Sequence, residues 1–167
     1  MLNPIDPDTV IRDGAASGRF PGQIHPGVAW WMGSCLVVVT AAERIVTAHD
    51  GHPTSVRFYD RLCQGATHAL HHRCRVTAMG HADESQVRRA MLILGAVPGV
   101  WITTTPEDGD GGVRVRIGLY GRDGQPLGED AGLAKIRRLV AEDRVPRPNN
   151  PGARGSVEPY APQGADQ

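Results

Sequence analysis

Three consecutive hydroxyls, Thr103, Thr104 and Thr105, close a short β-branched run and open a polar, glycine-rich loop over residues 106–112. A rigid strand that hands hydroxyls to a loop is where α/β proteins hold reactive or phosphate-binding groups. Pro106 and Glu107 follow at once, and Asp108 and Asp110 punctuate the loop. Two carboxylates on such a loop read as a solvated turn, because a divalent cation needs more oxygen ligands than they supply. A second constellation is His49-Asp50-Gly51-His52, at the end of another short apolar run. A third is His68, His71 and His72, in which His68 and His72 share a helical face at a spacing that can chelate zinc. No cysteine or carboxylate completes four ligands there, and a helix C-terminus attracts imidazoles for its own reasons. The chain has neither a Gly-x-Ser-x-Gly elbow nor a glycine-rich loop followed by Lys-Ser/Thr.

The elements that must position these groups follow from periodicity and punctuation. Residues 1–24 carry Pro4, Pro7, Gly14, Gly18, Pro21 and Gly22 and read as an irregular segment, with a short strand possible over 9–12. A helix is expected from His25 to about Thr40, with Pro26 at its first position. Strand 44–48 and a helix over about 55–71, capped by Thr54 or Ser55, come next. Strand 75–79 and a helix from Asp83 or Ser85 to Leu94 follow, then strand 100–104, strand 113–120 and a helix over about 129–142. Residues 143–167 are too rich in Pro, Gly and Asn to pack and read as a tail. The alternation predicts an α/β fold: one three-layer α/β/α sandwich over 25–142 with a mixed, mainly parallel sheet of about four strands.

Bulk properties narrow the function. Lys plus Arg and Asp plus Glu number 18 each in 167 residues, so the formal charge is zero and no basic excess argues for nucleic acid. The longest apolar run is too short to span a bilayer and follows a segment unlike a secretory leader, so the expectation is a cytoplasmic protein without membrane partners. Cys35, Cys63 and Cys74 read as buried thiols, not a disulfide framework.

In order and spacing, HPGVAWWMGSCLVVV, RIVTAHDGHPTSVRFYDRL and AMLILGAVPGVWITTTPEDGDGGVRVRIGLYGRDGQPL resemble the first domain of the α-D-phosphohexomutases, the phosphomannomutase and phosphoglucomutase family. GSVEPYAP resembles the link into a second domain. In that family a loop serine carries a phosphoryl group. The resemblance puts Thr105 on that serine, Pro106 on the next histidine and Glu107 on an asparagine, and His49-Asp50-Gly51-His52 on an Arg-Asp-x-Arg segment. Threonine keeps a hydroxyl but stiffens χ1, and imidazoles with pKa near ~6.5 replace permanent, forked cations. The resemblance therefore implies a degenerate phosphoserine loop, with Thr105 at the catalytic position and Arg19, His49, His52 and Thr104 as phosphate- or substrate-binding residues.

The family's metal, sugar-reading and phosphate-gripping loops lie in further domains, so no cofactor is expected for this chain alone, and Mg²⁺ only with a partner that carries the metal loop. The function expected from the resemblance is a hexose-phosphate-related domain without independent mutase activity. It would act by binding a sugar phosphate or other anion, or by assembly with a phosphohexomutase or with itself. The alternatives are a component of a split mutase in which Thr105 carries phosphate, and a His-rich metal-binding protein.

Overall fold

The computed structural model describes residues 5–69, 73–107, 109, 112–145 and 155–160. Helix α1 (Pro7–Val10) leads into β1 (Ile11–Arg12) and β2 (Ala15–Phe20). Then come α2 (Pro26–Thr40), β3 (Arg44–His49), α3 (Pro53–Thr67), β4 (Arg75–His81) and α4 (Glu84–Ile93). The chain continues through β5 (Gly99–Pro106), β6 (Val113–Tyr120), a wide helical turn at Glu129–Leu133, α5 (Ala134–Ala141) and β7 (Ser156–Pro159). The strands form one mixed sheet in the order β1-β2-β6-β5-β3-β4-β7. The β1–β2, β2–β6 and β5–β6 pairings are antiparallel, and β3–β5, β3–β4 and β4–β7 are parallel.

Helices cover both faces, as the alternation predicts. Among the described residues, however, half of the sheet's pairings are antiparallel where a mainly parallel sheet is expected, and it has seven strands instead of about four. The additional ones come from segments whose Pro and Gly content reads as irregular. β2 has the sequence Ala-Ala-Ser-Gly-Arg-Phe, low in β-branched residues, and is held by six successive register partners on β6 rather than by propensity. In the expected tail, Glu158 of β7 lies 3.2 Å from Arg44 and 3.5 Å from Arg75, tying the strand to the parallel edge. The run at 9–12 divides between the end of α1 and β1.

One sheet face packs Ile45, Val76, Val100, Ile102, Val115, Ile117 and Leu119 against the helices α2, α3 and α5. α2 is buried almost all round, as its unbroken apolar sequence requires. Among the described residues the other face carries one helix, α4, whose Val87, Ala90 and Met91 cover Val46, Ala48 and Tyr120. No described helix is long and apolar enough to cross a membrane.

Two boundary differences matter for the site. α3 begins at Pro53, before Thr54 and Ser55, because the His52 ring caps it: Nδ1 accepts from the Thr54 N–H at 3.1 Å. β4 runs two residues beyond Met79, past an irregularity in its pairing with β3, and this places His81 beside His49.

Candidate anion-binding site at the carboxyl edge of the sheet

β2, β3, β4 and β5 all point the same way, so Phe20, His49, His81 and Pro106 end at one edge of the sheet. This is the edge at which open α/β sheets present ligand sites.

At the end of β3, Asp50 joins the neighbouring elements. Its N–H donates to the Ile102 carbonyl at 3.1 Å. Its carboxylate accepts the Thr104 N–H at 2.8 Å and the His52 N–H at 2.9 Å, and the Ser55 side chain also favours its charged form. Burial raises the Asp50 pKa, but these donors outweigh burial and hold the carboxyl below its usual range. The Ser55 and Thr104 hydroxyl oxygens lie 2.6 Å apart, and either can donate to the other. Thr104 is thus buried on the helix side and engaged within the fold. It faces the helices, on the opposite side of β5 from the exposed Thr105.

Thr105 is exposed. Residues directly opposite across an antiparallel pair share a face, and the register sets Thr105 opposite Arg114, and Arg114 opposite Arg19. One row of the open face therefore reads hydroxyl, guanidinium, guanidinium. Arg114 donates to the Ser17 hydroxyl at 3.1 Å and to Glu107 at 3.3 Å, while the Arg19 N–H is held by the Gln23 side chain at 2.8 Å. Like charges directly opposite one another destabilise a sheet unless an anion joins them.

His49 lies on the helix side of the edge. Its ring meets Tyr59 edge-on at 4.7 Å and stacks on His81 at 6.3 Å, and Nδ1 accepts from the Gly51 N–H at 3.0 Å. Burial first, and the neighbouring His81 second, hold the His49 pKa below its ordinary value. The unfolded chain therefore binds more protons than the fold once pH drops below about 6.5, so stability falls from there towards the lower folded pKa. Chemical denaturation from pH 7.5 to 5 should show this slope, and His49→Gln should flatten it. An unchanged slope in the variant would assign the effect to other groups.

The structure thus divides the expected residues. Thr105 and Arg19 share the open face, His52 is exposed at the start of α3 with one ring nitrogen spent on the cap, and His49 and Thr104 face the helices. Arg114, Ser17 and His81 escape sequence reading. Arg114 was accessible by pairing residues outward from the 107–112 loop, since Pro106 pairs with Val113 and Thr105 with Arg114. His68 ends α3, its Nδ1 2.6 Å from the Gln64 carbonyl, while His71, His72, Asp108 and Asp110 lie outside the described residues. Among the described residues no group of three or more His, Cys, Asp or Glu is placed to hold a metal ion, so no step is assigned to one.

No protein-family model matches the chain, and neither does any curated protein. Solved structures do match in fold. A phosphoglucomutase/phosphomannomutase family protein from Burkholderia thailandensis superposes with a TM-score of 0.71 at 16% identity, over 93% of this chain and 33% of its own. A protein assigned as a phosphomannomutase from Thermus thermophilus gives a TM-score of 0.71 at 16% identity, over 96% of this chain and 34% of its own. The chain spans about one third of the length of each. Its architecture is the α/β fold found in phosphoglucomutase/phosphomannomutase family proteins.

Proposed function

We propose that this chain is a hexose-phosphate-related binding domain that captures a sugar phosphate or another small anion and does not turn it over alone. The observation that carries the reading is the row Thr105, Arg114, Arg19 at the carboxyl edge of the sheet. Two guanidiniums and a hydroxyl on one face suit the charge and hydrogen-bonding demands of a phosphate, and Arg presents its donors as a fork. Glu107 already takes part of the Arg114 charge, which favours reversible capture over stabilisation of a transferring phosphoryl group. In this reading the protein works in the cytoplasm and assembles with a phosphohexomutase or with itself. Calorimetric titration with glucose 6-phosphate should show binding that Arg19→Gln and Arg114→Gln each weaken about tenfold, the equivalent of ~1.4 kcal/mol. Heat that is absent, or affinity that neither variant weakens, would count against this site.

The exposure of Thr105 favours a second reading, a split mutase component. In that case the Thr105 oxygen attacks a phosphorus of a sugar bisphosphate, the P–O bond to the sugar breaks, and the threonine proton ends on the leaving sugar oxygen. Incubation with glucose 1,6-bisphosphate and Mg²⁺, with and without a partner phosphohexomutase, followed by intact mass measurement, tests it. A gain of one phosphoryl group that Thr105→Val abolishes supports the component. No gain with the partner present leaves the capture reading.

A further inference from the structure

The open face of β2, β6 and β5 extends beyond the anion row. The register places Arg116 of β6 opposite Ser17 and Thr103, and Arg12 of β1 in the next row with Ala15, Gly118 and Trp101. The buried residues of these strands, among them Ala16, Ile102, Val115 and Ile117, alternate with this set and face the helices. α4 packs on β3 and β5 and meets β6 at that strand's last residue, Tyr120. A chain with no net charge thus places Arg12, which is exposed, and the partly buried Arg19, Arg114 and Arg116 on one face of the sheet. Among the described residues Glu107 is the one carboxylate within ion-pair distance of these four. Arg116 reaches over Gly118 towards Tyr120, and Arg88 lies over the Tyr120 ring at 5.5 Å.

We infer that this face docks an acidic polypeptide segment in extended conformation, with carboxylates at alternate residues. Backbone positions two apart on a strand, such as 114 and 116, are separated by about 6.8 Å, and an extended segment repeats at the same interval. Each guanidinium can then meet one carboxylate through its fork. Single-stranded nucleic acid fits less well. It needs aromatic platforms for its bases, and among the described residues the face offers Trp101, whose indole N–H is fixed on the Ala82 carbonyl at 2.9 Å, and Tyr120, which is buried under α4. The inference goes beyond small-anion capture, with which it shares Arg19 and Arg114.

Fluorescence anisotropy with a labelled peptide of alternating Glu and Thr provides the test. A peptide of the same composition with its Glu residues in one block and a thymidine oligomer serve as comparators. The alternating peptide should bind best, and Arg116→Glu should weaken it by at least about tenfold. Arg12→Glu, at an exposed position where folding is not at stake, should weaken it by a smaller factor. Glucose 6-phosphate binding should survive Arg12→Glu and weaken about tenfold in Arg19→Gln, so loss of one property without the other identifies which reading is wrong. Equal binding of the blocked peptide, tighter binding of the oligomer, or affinity unchanged in both charge-reversed variants would overturn the inference.

Discussion

Gly65→Ala should cost about 3 kcal/mol of folding stability, at the upper end of typical overpacking penalties. For a chain of this size that lowers the unfolding midpoint by roughly 6–12 °C. The reason lies where α2 crosses α3. A Cβ on Gly65 would land on the Trp30 carbonyl, and one on Gly33 would land on the Leu62 carbonyl. Both obstacles are helix backbone, which cannot rotate away, so the helices must separate. α2 is buried on nearly every side, and its displacement would open the core under β5 and β6. Gly33→Ala should act similarly, and the double variant should lose less than the sum, because helices already parted meet no second clash. Gly128→Ala is the control, since nothing stands within 4 Å of its Cβ position. Differential scanning calorimetry decides the point; a Gly65→Ala midpoint equal to the control would mean that the helices are not in contact there.

Asp50→Ala should cost about 1–2 kcal/mol, allowing for solvent screening of a half-buried carboxylate, and should loosen the anion site as well. Its removal strands the Thr104 and His52 N–H groups at the junction of β3, α3 and β5. The acid limb of stability supplies a signature independent of magnitude. The folded pKa is depressed, so the carboxylate's contribution is fully present above the unfolded value near ~3.9 and is lost as pH falls through the folded one. Urea titrations between pH 6 and 2.5 should therefore show the variant losing less stability than the parent below about pH 4. Glucose 6-phosphate titration should show weaker binding, because Thr105 follows the residue that Asp50 holds. Binding at parental strength in Asp50→Ala would mean that the end of β5 keeps its position without the clasp.

How legible these features were depended on how local their causes are. α2 could be read to within a residue, because Pro26 opens it and apolar spacing carries it to Thr40. The β5–β6 hairpin could be read from two β-branched runs about a glycine-rich loop. β2 and β7 could not, since Ala, Ser, Gly and Pro have little intrinsic reason to extend. Pairing with distant strands makes them do so. The division between Thr104 and Thr105 was equally hidden. The residues are adjacent and alike, and the pleat alone turns one into the helix layer and the other outward.

What the sequence by itself determined is the layered α/β class, the central helices and the presence of hydroxyls and imidazoles near strand ends. These depend on side-chain periodicity within a few turns of chain. Only the tertiary structure decided that Thr105 shares its row with Arg114 and Arg19 while Thr104, His49 and Asp50 brace the edge. Register between strands far apart in the chain is set by how the whole sheet packs, and no local stretch encodes it.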